Sequence, residues 1–190
     1  MSSELSSATR RKLNPRQAET VARLVEATGV QLREVGYDVL TVRTVAAAAE
    51  VAPATAYTYF GSKAHLVAET FWRLLQSRPH HELQAGAPVD RVIEVFRDLA
   101  TFLSEEPALA EATTTALLGP DPDVRRLRRL IAGEINGRLQ NALGPEPDLG
   151  VLETLSLAWS GSMLQAGMGY STYAQMGDQL ARVTRTVMGR

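Results

Sequence analysis

The chain has 190 residues and a formal net charge of −1, enough length for one large domain or two small ones with a substantial core. It has no cysteine, which excludes disulfides and thiolate metal sites, and no apolar run of about 18 residues that would span a membrane. The first 17 residues lack the apolar run of a signal peptide, so we expect a cytoplasmic protein. Residues 1–76 are slightly basic and the remainder acidic, a weak indication of a DNA-binding head.

Helical patterns without a convincing alternating strand predict an all-α fold, and all nine prolines fall between these patterns or at their starts. A first helix begins at Asn14-Pro15-Arg16-Gln17, which resembles a capping box, and ends at Gly36. Two short helices at 42–49 and 53–60 follow, and then a longer one at 63–76 that Ser62 caps. Later helical patterns cover 88–104, 107–117, 121–142, 148–168 and 174–188.

Two short helices joined by a tight turn after a longer helix indicate a helix-turn-helix. On a helical wheel of the second short helix, Ala56 and Phe60 point inward, Thr58 points away, and Tyr57 and Tyr59 lie on the two flanks. Phenol hydroxyls at the edges of a helix seated in the major groove can reach the phosphates on both sides. The alternative is that both rings are partly buried core with their hydroxyls in water.

At these residues the sequence resembles the tetracycline-repressor (TetR) family of bacterial transcriptional regulators. The resemblance covers about residues 16–70 and is carried by Gly36-Tyr37, Thr41-Val42-Arg43-Thr44-Val45-Ala46, Thr55-Ala56-Tyr57-Thr58-Tyr59-Phe60 and Ser62-Lys63-Ala64-His65-Leu66. There are two departures. Glu50 stands where a turn glycine is usual, which predicts a different backbone shape in the turn. Ala56 replaces a larger apolar residue beneath the recognition helix.

The resemblance implies a set of DNA contacts. These are Thr41, Arg43, Thr44, Pro53, Ala54, Thr55, Tyr57, Thr58, Tyr59 and Lys63. Thr55, Tyr59 and Lys63 are expected on phosphates, and Thr41 as a phosphate clamp at the start of the second helix. Arg43 is the candidate to read a guanine through O6 and N7, with a surface arginine as the alternative.

Specificity is expected to rest also on contacts with thymine methyl groups and on DNA shape, because residues 52–54 cannot hydrogen-bond through their side chains. Residues 1–14 are predicted to form a basic arm, either disordered in solvent or bound in the minor groove. The helix-turn-helix DNA-binding domain is predicted at 15–62 and a larger helical domain for effector binding and dimerisation at 63–190.

The resemblance further implies that the C-terminal domain binds a small molecule and dimerises mainly through its last two helices. Ordinary core is the alternative for every residue nominated for the effector pocket, and as a set they favour a hydrophobic effector. The nominated residues are Phe71, Trp72, Leu75, Phe96, Leu99, Phe102, Leu103, Leu117, Leu130, Ile131 and Trp159. In the helix at 148–168 one apolar face is expected to hold Leu152, Leu155, Trp159 and Met163. Gly161, Ser162, Gly167 and Gly169 are expected to permit close approach of a partner backbone, and a broken or kinked helix end is the alternative.

Other motifs favour no further site. The arginines of 125–129 cannot share one helical face and read as a solvated surface, although an anion site is the alternative. His80-His81-Glu82 does not complete a metal site, and we expect neither metal nor cofactor. The chain lacks the motifs of a serine hydrolase or a P-loop, so we expect no enzyme.

The leading hypothesis is a homodimeric repressor that binds near-palindromic operator DNA and is released by a small apolar effector. One alternative is a carrier of hydrophobic ligands with a vestigial helix-turn-helix. A DNA-binding protein without any effector is another.

Overall fold

The computed structural model describes residues 13–79 and 86–189, and within these ranges the chain folds into helices without a strand. The helices are α1 (Pro15–Val39), α2 (Val42–Ala48), α3 (Pro53–Tyr59), α4 (Lys63–Ser77), α5 (Pro88–Glu105), α6 (Pro107–Leu118), α7 (Pro122–Leu143), α8 (Leu149–Gly167) and α9 (Tyr173–Met188). The all-α prediction is confirmed. The arm residues 1–12 and the motif at 80–82 lie outside the described residues, and the division of the chain after residue 62 stays a prediction.

Reciprocal caps explain why several helices begin where the sequence predicts. The Asn14 side chain accepts the Gln17 N–H at 2.9 Å, and the Gln17 side chain accepts the Asn14 N–H at 3.0 Å. Such a cap contributes about 1 kcal/mol. Gly36 has φ 71° inside α1, so the regular helix ends there and a single turn follows up to Val39. The predicted stop at Gly36 is therefore confirmed as a break, with the chain continuing helically for one turn.

The first three helices close around a small apolar core. Leu24 of α1, Val45 of α2, and Ala56 and Phe60 of the α3 segment are all fully buried. Helix α1 also packs against α4 and α6, so the head shares one continuous cluster of buried side chains with the rest of the chain. Within the larger part, α5 packs along α9, and α9 also packs on α8.

Helices α4 and α7 lie side by side and run parallel, because α7 contacts both ends of α4. At the N-termini, Ser62 Oγ donates to Asp121 Oδ2 at 2.5 Å; each of these residues also caps its own helix. At the other end, Arg138 Nη2 donates to the carbonyl oxygens of Leu75 at 3.2 Å and Arg78 at 3.4 Å. We call these contacts the N-terminal clasp (Ser62 and Asp121) and the C-terminal clasp (Arg138 with the carbonyls of Leu75 and Arg78). Helix α4 is therefore fixed to α7 at both ends.

Helix α8 is apolar on two faces. Leu152, Leu155 and Trp159, predicted to share a face, do so and pack inside the chain. A second stripe remains exposed and consists of Leu157, Leu164 and Met168, at 67%, 39% and 52% exposure. The helix continues to Gly167, where an added Cβ would lie 2.7 Å from Thr114 Cγ2, so this glycine permits close packing on α6. Among the described residues no helix is both long and apolar enough to cross a membrane.

Candidate nucleic-acid interface and ligand cavity

Helix α3 presents the surface predicted for a recognition helix. Ala56 and Phe60 have no exposed area, Thr58 is exposed, and its hydroxyl donates to the Ala54 carbonyl at 3.0 Å. The inward and outward faces of the wheel are thus confirmed. The two tyrosines differ, because Tyr57 is 52% exposed whereas Tyr59 is half-buried and packs against the core. Tyr57 is therefore the ring more available for an external contact, and the DNA roles of both stay predictions.

The turn between α2 and α3 keeps a left-handed backbone although glycine is absent. Glu50 has φ 54°, its N–H donates to the Ala47 carbonyl at 3.1 Å, and the Val51 N–H donates to the Ala46 carbonyl at 2.9 Å. This pair of hydrogen bonds is the Schellman motif, whose left-handed position usually holds glycine. The expectation that Glu50 changes the shape of the turn is wrong. Closing the helix-turn-helix over the buried Ala46 and Val51 imposes this conformation on a residue that ordinarily avoids it.

The start of α2 combines a cap with an exposed arginine. Thr41 Oγ1 accepts the Thr44 N–H at 3.0 Å, and Thr44 Oγ1 accepts the Thr41 N–H at 3.1 Å. Arg43 lies between them on the exposed side, and within the described part of the chain its guanidinium has no hydrogen bond or ion pair. The predicted contacts at the start of α3, Pro53, Ala54 and Thr55, are also exposed. The head therefore presents these groups on its surface, and their binding to DNA stays a prediction.

Lys63 differs from the other predicted DNA contacts because it is engaged within the chain. Its Nζ donates to the carbonyls of Tyr37 at 2.8 Å and Asp38 at 3.1 Å, and it lies 4.4 Å from the centre of the Tyr37 ring. An ammonium has three donors, so one remains for an outside acceptor. Desolvation raises the pKa of Tyr37, with Asp38 and Asp121 adding to the rise, so its hydroxyl stays neutral. Lys63 therefore fixes the last turn of α1 to α4, and this role does not depend on a contact with DNA.

Charged groups meet beneath the recognition helix at the N-terminal clasp. Burial alone would raise the pKa of Asp121, but hydrogen bonds from Ser62 and from the N–H groups of Asp123 and Val124, together with His65, lower it. The buried His65 ring packs edge-on against Phe60 at 5.3 Å, and its Nδ1 lies 3.8 Å from Asp123 Oδ2. The residue that closes α3 therefore contacts the α4–α7 junction directly. The sequence predicted Ser62 as a cap but gave no signal that it meets Asp121.

The apolar residues nominated for an effector pocket are buried except Leu117 and Leu130, which are half-buried. Most pack against one another, as in the Phe71–Phe102 pair at 5.4 Å and the Phe96–Trp159 pair at 6.2 Å. Of the nominated set, Leu75, Leu99 and Phe102 line a cavity of about 260 Å³ that adjoins the C-terminal clasp. Ligand binding by the nominated residues stays a prediction. Arg138, which also lines the cavity, was not nominated from the sequence.

The head and the helical part behind it define a helix-turn-helix regulator, and comparisons with known proteins agree. The model of the family described as "Bacterial regulatory proteins, tetR family" matches residues 24–70. An HTH-type transcriptional regulator of Mycobacterium tuberculosis is 42% identical over 178 residues, which cover 92% of this chain and 83% of that protein. The HTH-type transcriptional repressor KstR of the same species is 28% identical over 156 residues, covering 78% and 71% of the two chains.

Solved structures show the same fold. A TetR transcriptional regulator from Rhodococcus sp. RHA1 superposes with a TM-score of 0.76 at 22% identity, covering 91% of this chain and 97% of that one. FadR of Thermus thermophilus, a TetR-family repressor solved in complex with lauroyl-CoA, gives a TM-score of 0.64 at 22% identity, covering 88% and 94%. The chain belongs to the TetR family and is a helix-turn-helix transcriptional regulator.

Proposed function

We propose that this regulator is a homodimeric repressor that binds a near-palindromic operator and is released by a small, mainly apolar effector. The observation that carries the proposal is that Arg43, Thr55 and Tyr57 are exposed on a helix-turn-helix whose apolar side chains are buried and whose helix α2 is capped by Thr41. An exposed guanidinium, hydroxyl and phenol are groups that suit base edges and phosphates. The relationship to KstR, a repressor by name, supports repression.

Dimerisation is proposed through α8, because its exposed stripe is continuous. Leu157, Leu164 and Met168 are seven and four residues apart and lie on one side of the helix, and Gly161 between them leaves open space where a Cβ would project. An exposed apolar stripe of this kind is typical of a protein–protein interface. In such a dimer two recognition helices about 34–36 Å apart enter successive major grooves of the operator.

The test is selection of random duplex DNA by the folded protein at about 150 mM salt, where non-specific phosphate binding is weak. Enrichment of an inverted repeat with half-sites about 10 base pairs apart, or a multiple of that spacing, is the expected result. The Tyr57→Ala variant is the comparison that should enrich the repeat less, because it removes a predicted DNA contact. Tyr57 is half-exposed, so its loss leaves the core intact. No enriched sequence from dimeric protein would refute operator binding and favour a ligand carrier.

A further inference from the structure

The cavity beside the C-terminal clasp contains a buried cation with unused donors. The Arg138 side chain is only 10% exposed; its Nε donates to Glu134 Oε1 at 2.9 Å, and its Nη2 donates to the carbonyls of Leu75 and Arg78. A guanidinium has five N–H donors in a planar fork. Its Nη1 amino group has no partner in the described parts of the chain, yet Arg138 lines the cavity. The cavity is therefore lined by a charged hydrogen-bond donor, which three other hydrogen bonds hold in place.

The rest of the lining is apolar on the inside and polar at the edge. Leu75 of α4 and Leu99 and Phe102 of α5 form walls that are at most 2% exposed. The guanidinium of Arg78 lies over the Phe102 ring at 5.0 Å and pairs with Glu105 outside the cavity. Asp98 also lines the cavity and has a partner of its own. Both arginines are already paired with a glutamate, Arg138 with Glu134 and Arg78 with Glu105, so preference for an anionic group rests on the remaining amino group of Arg138.

We propose that this cavity binds a small apolar carboxylate, with the acid group on Arg138 and the hydrocarbon against Leu75, Leu99 and Phe102. The cavity volume of about 260 Å³ lies just below the usual range of ligand pockets, about 300–1,000 Å³, which limits the ligand to a short chain or a single ring. A carboxylate and a guanidinium form charge-assisted hydrogen bonds that are stronger than those between arginine and a backbone carbonyl. An acid that binds Nη1 and Nη2 together therefore competes with the Leu75 and Arg78 carbonyls, which both accept from Nη2.

This competition gives the ligand a mechanical effect on the head, a consequence that rests on the proposed function. Arg138 is one half of the C-terminal clasp, and it lies 17 residues along α7 from Asp121 of the N-terminal clasp, or about 25 Å. Drawing Arg138 toward the ligand releases the C-terminus of α4. The start of α4 carries Ser62, Lys63 and His65, which contact α7, α1 and Phe60. A shift of α4 thereby reaches the recognition helix.

Binding is tested without DNA, by titration calorimetry of the full chain with octanoate and with 1-octanol, which share a hydrocarbon and differ in charge. Octanoate is expected to bind at least tenfold more tightly, and Arg138→Met is expected to abolish the difference while leaving the octanol affinity within a factor of two. The Arg129→Met variant is the matched control, since Arg129 is exposed on the same helix. Equal affinities for the two probes, binding of neither at 5 mM, or unchanged octanoate binding by Arg138→Met overturns the proposal.

A second variant keeps the test independent of the folding of Arg138→Met. Thr101 is exposed and lines the cavity from α5, so Thr101→Trp fills the cavity from its rim without altering the core or Arg138. It is expected to lower octanoate affinity at least tenfold, and undiminished affinity would place the ligand elsewhere and overturn the proposal. Because these titrations contain no operator DNA, carboxylate binding and DNA selection can each fail independently of the other.

Discussion

Replacing Glu50 by glycine is expected to stabilise the protein by about 0.5–1 kcal/mol. Glu50 occupies the left-handed position of the Schellman motif between α2 and α3, with φ 54°. A left-handed conformation costs a residue with a Cβ about 1–2 kcal/mol, and glycine is free of that cost. Glycine also makes the unfolded chain more flexible, which offsets about 0.4–1 kcal/mol of that gain in stability. For a chain of this length the difference corresponds to a rise in Tm of about 1–4 °C.

A reciprocal variant in the same motif makes the test sharper. Gly169 takes the equivalent position after α8, with φ 79° and with open space where a Cβ would project, so Gly169→Ala introduces backbone strain without a clash. We expect it to lower stability by about the amount that Glu50→Gly raises it. Since the two changes act on separate turns, the double variant is expected to return close to the wild-type midpoint.

Urea denaturation followed by circular dichroism, at one fixed protein concentration, measures these differences. Glu50→Ala serves as the control because it removes the carboxylate but keeps the Cβ, and therefore the strain. A lower midpoint for Glu50→Gly, or equal rises for the glycine and alanine variants, would refute the reasoning, because the first excludes relief of strain and the second assigns the gain to the side chain.

The remaining predictions concern the surface, the junction and the dimer. Tyr57→Ala is expected to weaken binding to the selected operator at least tenfold in fluorescence anisotropy with an unchanged Tm, because half of this ring is exposed. Lys63→Met is expected to lower stability by about 1–2 kcal/mol in urea, because its ammonium binds two carbonyls at the end of α1. Asp121→Asn is expected to be destabilising at pH 7 and to differ less from the wild type near pH 3. The pKa of Asp121 is lowered in the folded state, so its contribution is present above its ordinary value of 3.8 and is lost as pH falls through the folded pKa. Leu157→Glu with Leu164→Glu is expected to give monomers in analytical ultracentrifugation, because both leucines lie on the exposed stripe of α8.

The predictions for the dimer, Asp121 and Tyr57 each have a result that contradicts them. Leu118, at the end of α6, is 70% exposed and does not belong to the stripe, so Leu118→Glu should leave the dimer intact. Loss of the dimer in this control, or its persistence in the double variant, would place the interface elsewhere. A constant gap between Asp121→Asn and the wild type across pH would show that shape rather than charge matters at this cap. A Tyr57→Ala protein with unchanged operator affinity would exclude Tyr57 from the DNA contacts.

The helix boundaries were predictable because they are set by local chemistry. A cap such as Asn14 and a proline at the first helical position act on the backbone within one turn, so the sequence displays them directly. The conformation of Glu50 was not predictable in this way, since burial of Ala46 and Val51 outweighs the preference of the residue itself. Tertiary packing thus decided the one turn where local preference gave the wrong answer.

Helix α8 and Arg138 show a second limit. In α8 apolar residues occupy two faces, so periodicity identifies a face containing Leu155 and Trp159 but does not tell whether a partner or the same chain covers it. Arg138 is one of several arginines on α7, and only its contacts with the distant Leu75 carbonyl and the cavity distinguish it. A contact between residues more than 60 positions apart cannot be predicted from the periodicity of a single helix.

The parallel arrangement of α4 and α7 has an electrostatic consequence. Two parallel helices place their positive N-terminal ends together, and these dipoles repel each other. The carboxylate of Asp121 lies between those two ends, and the guanidinium of Arg138 lies at the negative end of α4, so each charge opposes the repulsion at its own end. Two side-chain charges thus support the parallel alignment of the pair, and neutralising either one leaves the repulsion at that end unopposed.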